Sequence, residues 1–200
     1  MTELEIRQEI CRVGASLYAR GYVHASAGNI SVKLPDGSFL ITPTDACLGN
    51  LLASELAHVS AEGEQLSGAR ASKTLALHRS IYDASSQAHC VIHTHATHLV
   101  SLTLQGVWRT SDIVPPITPY YVMKVGHVPL VPYQRPGAPE VAAEVASLIA
   151  KSNTQHMPLR GVMLERLGPV VWHQTPAEAS AVLEELEETA KLWLMSERQA

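Results

Sequence analysis

The sequence predicts a single α/β domain built from helices and short strands that follow one another along the chain. Apolar residues recur at helical spacing in several segments, and short β-branched runs lie between those segments. Clusters of glycine, proline and aspartate separate the two kinds of segment and mark turns. Because the chain shows no repeat or low-complexity tract, we expect residues 1–200 to form one domain with one well-filled core.

The N-terminal part of the chain predicts one helix followed by three strands. Thr2 and Glu5 form a capping box, and apolar residues then follow at helical spacing: Ile6, Ile10, Val13 and Leu17. Residues 30–33 and 39–42 are the predicted strands of a hairpin, with a Pro-Asp-Gly turn between them. Residues 56–60 are predicted to form a further strand.

The middle of the chain predicts two helices around one buried strand. Ser72 is the predicted N-cap of a helix that extends to about Tyr82. The apolar run before His93 predicts a strand, and a helix follows from about residue 97 to residue 104. Residues 115–136 are rich in proline but interleaved with apolar side chains, so we predict ordered loop and strand there rather than a linker.

The C-terminal part predicts two helices around a pair of strands. Residues 138–150 show helical periodicity, and residues 161–164 and 169–172 are predicted strands joined by a turn at Gly168. The last helix has an N-cap residue, a proline in its first turn and a capping-box acid: Thr175, Pro176 and Glu178.

Composition and charge exclude several classes of function. The net charge is −4 and the basic residues form no stripe, so we expect no nucleic-acid partner. No run of about 18 apolar residues occurs, which predicts no membrane-spanning helix. The acidic N-terminus argues against a signal peptide, and three cysteines far apart in sequence are typical of reduced thiols. We therefore expect a cytoplasmic protein.

The most informative motif is His93-Thr94-His95, at the end of the predicted buried strand. Side chains at positions i and i+2 of a strand point to the same face, so both imidazoles can reach one divalent metal ion. His98 follows three residues later. The alternative is that the pair has only structural hydrogen bonds to the backbone.

Three polar clusters predict a small anionic substrate. Asn29 ends a loop before the first strand, Thr44 follows the second strand, and Ser72 and Lys73 precede a helix. Each cluster alone is an ordinary turn or cap, but hydroxyls, amides and free N–H groups at a helix start also bind anions. Three such clusters in one small domain favour a phosphorylated substrate.

Several stretches resemble, in the same order, the class II aldolase/adducin family. The shorter ones are Gly28–Ser31, Ile41–Thr44, Ser72 with His78, and His93 with His95. Longer stretches of the second half resemble the 3-oxo-tetronate 4-phosphate decarboxylases of that family: residues 118–126, 131–137, 168–171 and 184–191. The resemblance covers nearly the whole chain.

The resemblance implies an αβα domain around a mostly antiparallel central sheet. It also implies a homotetramer whose active site lies between subunits. A divalent metal, usually Zn²⁺ with Mn²⁺ or another ion as the alternative, would be held by three histidines, and His93 and His95 match two of them. The substrate phosphate would be bound at the positions that match the family pattern: Asn29, Thr44 and Ser72. Tyr120 or its neighbour Tyr121 would act as a proton donor, on an adjacent subunit's substrate.

The chain departs from the family pattern at three positions. Thr74 stands where an acidic residue is expected, Leu167 where the third metal histidine is expected, and Asp45 where a glycine is frequent. Two imidazoles alone make a weak zinc site, because catalytic zinc normally has three protein ligands. Sequence does not choose among the residues that could complete the set, which are His98, Glu165, Asp45 and His127.

These observations favour a metal-dependent decarboxylase that acts on a phosphorylated 3-oxo sugar acid. Departure of the carboxylate as CO2 needs no base, only a later proton donor, for which Lys73 and Tyr120 are the candidates. The first alternative is a sugar-phosphate aldolase or epimerase of the same fold, which would need a base that Thr74 does not provide. The second is a non-catalytic, adducin-like binding or scaffold protein, which the changes at Thr74 and Leu167 would fit.

Overall fold

The computed structural model describes residues 1–197. Its eight strands are β1 (Asn29–Lys33), β2 (Phe39–Ile41), β3 (Ala57–Val59), β4 (Gln65–Ser67), β5 (Cys90–His93), β6 (Leu130–Val131), β7 (Gly161–Leu164) and β8 (Gly168–His173). Its helices are α1 (Glu3–Ala19), α2 (Leu75–Ala84), α3 (Thr97–Gln105), α4 (Pro119–Lys124), α5 (Pro139–Thr154) and α6 (Pro176–Glu197), with a short 3₁₀ helix at Leu48–Asn50.

All eight strands belong to one sheet in the order β4-β3-β2-β1-β5-β8-β7-β6. Every neighbouring pair is antiparallel except β6 and β7, which run parallel. The predicted fold class, an α/β domain around a mostly antiparallel central sheet, is therefore confirmed.

Helices cover both faces of the sheet, because alternate strand residues point to opposite sides. Ile92 of β5 belongs to the apolar cluster that contains residues of α1, α3 and α6. Its neighbour Val91 belongs to a second cluster, which contains residues of α2 and α5. Both residues are fully buried. The two clusters make a helix–sheet–helix arrangement with β5 near its centre.

The central strand β5 has the chain's buried histidine at its carboxyl end. Asn29 of β1 pairs with His93 on one side, and Val170 of β8 pairs with it on the other. The chain leaves the sheet after His93 and enters α3 at Thr97. The strands β1, β5 and β8 therefore meet at the carboxyl end of β5, where a cavity opens.

Of two predicted helix N-caps, one is confirmed and the other is wrong. The capping box of α1 is confirmed, because the Glu5 N–H donates to the Thr2 hydroxyl and the Thr2 N–H donates to the Glu5 carboxylate. Ser72, in contrast, is not the N-cap of α2, which begins at Leu75. The Ser72 hydroxyl accepts from the Thr74 N–H at 3.4 Å, so it stabilises the turn that precedes the helix.

The proline-rich middle was predicted as loop and strand, and it contains a helix instead. In α4 the Thr118 hydroxyl accepts from the Tyr121 N–H at 3.0 Å, and Pro119 occupies the first turn. A proline is tolerated there because its missing N–H would have no partner in the first turn. The predicted strand shrinks to the two residues of β6.

Candidate active site

A cavity of about 250 Å³ opens at the carboxyl end of β5. The start of α2, the loop before α5 and the β7–β8 turn form its walls. Its polar lining comprises Asn29, Lys73, Thr74, His78, His93, His95 and Arg135. No aspartate or glutamate of the described chain lines it, so its charged groups, Lys73 and Arg135, are both cationic. The cavity therefore suits an anionic ligand.

His93 is buried and held in one orientation. Its Nδ1 lies 2.9 Å from the carbonyl oxygen of Pro169, which can only accept, so Nδ1 carries the proton. The other nitrogen, Nε2, is left as an acceptor in the neutral ring. Burial, with a further contribution from His95, lowers the pKa of His93 to about 4. His93 is therefore neutral near pH 7, as a metal ligand must be.

His95 stands beside His93, as the i, i+2 spacing predicts. The two ring centroids are 5.1 Å apart and the ring planes are tilted by 59°. Burial lowers the pKa of His95, and the neighbouring His24 lowers it further. The His24 and His95 rings meet edge to face with centroids 6.5 Å apart.

Two buried polar atoms at the cavity have no partner in the described protein, the side-chain oxygen of Asn29 and Nε2 of His78. The His78 ring is fixed at its other side by a 2.7 Å contact from Nδ1 to the Ser31 hydroxyl. Burial lowers the pKa of His78 to about 3. Buried polar groups are normally hydrogen-bonded, so two unpartnered ones at one cavity favour a polar ligand there.

The structure brings the three predicted phosphate-binding residues to neighbouring segments. Asn29 lines the cavity, and Ser72 lies beside it, with its hydroxyl 2.9 Å from that of the cavity residue Thr74. Thr44 lies one step further out, where a bridge joins Pro43 to Ala71. Ser72 and Thr44 themselves are not part of the cavity wall.

Of the two predicted proton donors, Lys73 lines the cavity and Tyr120 does not. Tyr120 is 65% exposed on α4, in a depression that it shares with Arg20 and Glu185. Its neighbour Tyr121 is buried and donates a 2.8 Å hydrogen bond to Asp112. Tyr120 therefore cannot serve the cavity of its own chain in this arrangement.

The four residues considered for a third metal ligand all lie outside the cavity wall: His98, Glu165, Asp45 and His127. Nδ1 of His98 contacts the buried Glu187 at 2.8 Å, and His127 pairs with Asp112 at 3.1 Å. The Glu165 carboxylate accepts from the Tyr133 N–H. Within residues 1–197, no group of three or more His, Cys, Asp or Glu side chains is arranged to hold a metal ion.

Thr74 and Leu167, the two departures from the family pattern, both line the cavity. Leu167 therefore presents an apolar side chain where a ligand was expected. In the described chain, the imidazoles that line the cavity are those of His78, His93 and His95, and the ring of His24 lies next to that of His95. The donor type fits a transition metal, but the pair of His93 and His95 alone is an incomplete set for zinc.

Sequence reasoning gave no site role to three residues found here: His24, which it did not consider, and His78 and Arg135, which lie in stretches that resemble the family. His78 had a usable signal, because a histidine on the apolar face of a predicted helix is unusual in a core. Arg135 sits in the loop before α5, and His24 in the loop before β1. Neither loop position shows a pattern that predicts contact with residues 93–95, because that contact depends on the fold.

The fold and the site define a class of protein that comparison with known families identifies. Residues 8–194 match the family described as "Class II Aldolase and Adducin N-terminal domain". The chain belongs to this family. No helix within residues 1–197 is long and apolar enough to cross a bilayer.

Similar proteins of the family include decarboxylases and aldolases. A 3-oxo-tetronate 4-phosphate decarboxylase of Cupriavidus necator is 61% identical, over 96% of this chain and 85% of the relative. A decarboxylase of the same name from Escherichia coli is 44% identical over 95% of this chain and 86% of its own. An L-fuculose phosphate aldolase of Methanocaldococcus jannaschii is 31% identical over 94% of this chain and 93% of its own.

Solved structures share the fold of this chain. The crystal structure of YgbL from Escherichia coli superposes with a TM-score of 0.88 and 42% identity, over 96% of this chain and 90% of that one. L-fuculose-1-phosphate aldolase from Thermus thermophilus, at 24% identity, shares the fold with a TM-score of 0.79, over 97% of this chain and 94% of that one.

Proposed function

We propose that this protein is a carbon–carbon lyase that decarboxylates a phosphorylated 3-oxo sugar acid of the 3-oxo-tetronate 4-phosphate type. The products are CO2 and a phosphorylated ketose fragment. The observation that carries the proposal is the 61% identity to a decarboxylase of that name over nearly the whole chain. The cationic cavity at the end of β5 supports it, because the substrate carries a carboxylate and a phosphate.

Substrate binding is proposed for the three neighbouring polar segments. Asn29, Thr44 and Ser72 would hold the phosphate, since amide, hydroxyl and N–H groups bind its oxygens. Lys73 and Arg135 line the same cavity and would attract both acidic ends of the substrate. Lys73 could hold the carboxylate or the phosphate before it returns a proton.

A divalent metal is proposed as the cofactor, with Zn²⁺ favoured and Mn²⁺ as the alternative. His93 and His95 would hold it through neutral ring nitrogens, and the free Nε2 of His93 fits this role. Bound there, the ion supplies positive charge next to the reacting ketone.

Proton transfer defines the remaining chemistry. The bond between the carboxylate carbon and its neighbour breaks, CO2 leaves without its bonding electrons, and these electrons remain on the substrate as an enediolate. A proton must then return to carbon. Lys73 is the proposed donor, and its position in the cavity lining supports this role. Tyr120 is a second candidate only from a neighbouring subunit, because it is exposed on α4.

The domain organisation, the oligomeric state and the cellular compartment are part of the same proposal. We propose one domain over residues 1–200, supported by the single eight-stranded sheet of the described chain. A homotetramer would bring Tyr120 to the cavity of a neighbouring copy. The exposed apolar residues on α4, Val122 and Met123, are available for such an interface. The protein would act in the cytoplasm, where the three free cysteines stay reduced.

One alternative activity has a specific observation behind it. The relative of M. jannaschii is an L-fuculose phosphate aldolase at 31% identity. Aldol cleavage needs a base for a hydroxyl proton, and the described cavity has no carboxylate. A non-catalytic scaffold remains the other alternative, because Leu167 removes a donor from the wall. The lack of a carboxylate in the described cavity lining argues against the aldolase, and the cationic residues Lys73 and Arg135 argue against the scaffold.

The proposal is tested by incubating purified, metal-supplied protein with 3-oxo-tetronate 4-phosphates and measuring CO2 release. Release that depends on the phosphate group supports it. Cleavage of fuculose 1-phosphate without CO2 release would establish the aldolase instead. Neither reaction, from protein whose fold and metal content are verified, would favour the scaffold.

A further inference from the structure

We propose that His24 supplies the third imidazole of a divalent-cation site with His93 and His95, replacing the donor that Leu167 does not provide. The inference rests on the proposed metal role of His93 and His95. His24 lies in the loop before β1. The metal site of this protein would therefore differ from one whose third ligand comes from the β7–β8 turn.

The loop that carries His24 is packed directly on the histidine segment. A Cβ atom added to Gly28 would lie 2.7 Å from the carbonyl oxygen of His93 and 3.4 Å from Cα of Thr94. Gly28 also has a φ of +82°, which glycine adopts without strain. Only a glycine therefore permits this close approach, and the approach holds the loop beside His95.

The backbone of His24 is anchored while its side chain is free. The His24 carbonyl accepts from the Ala27 N–H at 3.0 Å, in a turn where Ala25 has a φ of +48°. The preceding residue, Val23, is 2% exposed and packs in the core. The His24 side chain is exposed, and its ring has no hydrogen bond to any described residue. The ring can therefore reorient at low cost.

The ring separations favour the completion of a three-imidazole set. With metal–nitrogen distances near 2.0–2.1 Å, the centroids of two imidazoles on a tetrahedral ion lie about 5 Å apart. His93 and His95 are at 5.1 Å. His24 and His95 are at 6.5 Å, so His24 must approach by about 1.5 Å to meet this spacing. Among the described residues His24 has a ring contact with His95 but none with His93, and no three-ligand group is formed, so the His24 ring must move toward both histidines.

His24 and Leu167 lie on opposite sides of the histidine segment. β5 lies between β1, which follows the His24 loop, and β8, which follows Leu167. On the β8 side, a Cβ atom at Gly168 would lie 3.0 Å from Cα of His95. The apolar Leu167 leaves that side without a donor, while the His24 side offers an imidazole.

His78 is the competing imidazole, and its surroundings argue against it. The ring is completely buried, and Nδ1 is engaged by the Ser31 hydroxyl, which also contacts Tyr82 at 2.6 Å. Nε2 of His78 is unpartnered at the cavity, but among the described residues the His78 ring has no ring contact with His93 or His95, whereas the His24 ring contacts that of His95. The exposed His24 has the freedom that His78 lacks.

The test measures metal binding without any substrate. Metal-free protein is titrated with Zn²⁺ against a competing chelator, and with Co²⁺ whose visible absorption reports the ligand set. The variants are His24→Ala, His93→Ala and the control His89→Ala, which removes another exposed histidine outside the cavity. His24→Ala should weaken Zn²⁺ binding by more than the roughly 10- to 100-fold that loss of an outer-shell partner costs. It should also change the Co²⁺ spectrum.

A rescue experiment completes the test. Leu167→His in the His24→Ala background should restore Zn²⁺ affinity, because it returns an imidazole on the other side of His95. Unchanged Zn²⁺ affinity in His24→Ala, with loss in His93→Ala, would overturn the role of His24 and leave the proposed metal site intact. Unchanged affinity in both variants would refute the metal site itself. Loss in His78→Gln without loss in His24→Ala would assign the third donor to His78.

Discussion

His93 donates a 2.9 Å hydrogen bond from Nδ1 to the carbonyl oxygen of Pro169, across the pairing of β5 with β8. This bond decides which nitrogen of the buried ring faces the cavity. In metal sites, a backbone carbonyl commonly accepts from the ring N–H of a ligating histidine and so fixes its tautomer. The bond therefore links the sheet register to the chemistry proposed for the cavity.

Replacing His93 by alanine should abolish both metal binding and CO2 release, because it removes a proposed ligand whose Nε2 the bond to Pro169 keeps free as an acceptor. Metal content by elemental analysis and CO2 release measure the two effects. His89→Ala serves as the control, since it should leave both unchanged. Full activity in His93→Ala would exclude this residue from the reaction.

Replacing Lys73 by alanine should lower kcat by roughly 10²-fold or more if Lys73 returns the proton, in line with general-acid contributions. Lys73→Arg separates proton transfer from charge, because arginine keeps the charge but does not give up its proton. A low kcat with a near-normal KM in Lys73→Arg supports proton donation. Recovery of kcat in Lys73→Arg would instead assign Lys73 to substrate binding.

The pair Thr74→Glu and Leu167→His restores the family pattern on two cavity walls. If the natural site is merely weakened, this double variant should bind Zn²⁺ more tightly and keep or raise its activity. If another residue already completes the ligand set, the change should do little or lower activity. CO2 release by the double variant alone, with none from the natural chain, would show that the natural sequence has a decayed or repurposed site.

Alkaline stability should depend on the buried hydroxyl of Tyr22, which donates to Glu188 at 2.8 Å. Burial, followed by this bond to Glu188, raises the pKa of Tyr22 from 10 to about 12. Between these values the folded chain keeps a proton that the unfolded chain has lost. The stability from Tyr22 is therefore present below pH 10 and lost as pH rises from 10 to 12.

The matching measurement is urea unfolding of the wild type and Tyr22→Phe across that range. At neutral pH the variant should be about 2 kcal/mol less stable, since a hydrogen bond to a charged group is lost. The difference in the free energy of unfolding between the two proteins should narrow above pH 10. Tyr18→Phe is the control, because Tyr18 is 44% exposed. A difference that stays constant from pH 8 to the alkaline limit would contradict the assignment.

Much of the fold could be predicted because its signals are local. The capping box of Thr2 and Glu5, the hairpin with its Pro-Asp-Gly turn and the apolar run before His93 each span a few residues, and each is confirmed. The helix α4 was missed because proline is ambiguous in sequence. It starts a helix at Pro119, yet it interrupts structure elsewhere in the same segment.

The candidate site likewise has a part that the local sequence predicts and a part that depends on the fold. His93 and His95 follow from a period of two on one strand, and their rings do lie side by side at 5.1 Å. The position of His98, three residues after His95, does not show that it is excluded as a metal ligand. The exclusion depends on Glu187, from the far end of the chain, whose carboxylate accepts from the His98 and Leu99 N–H groups at the start of α3.

The sequence by itself determined the α/β class, the capped start of α1, and the pair of histidines at the end of one strand, because each depends on neighbours within a few residues. Only the tertiary structure decided that Arg135 reaches the cavity, that Tyr120 does not, and that His24 lies beside His95. The physical reason is distance along the chain. These contacts join residues far apart in sequence, and strand order and close backbone packing, as at Gly28, bring them together.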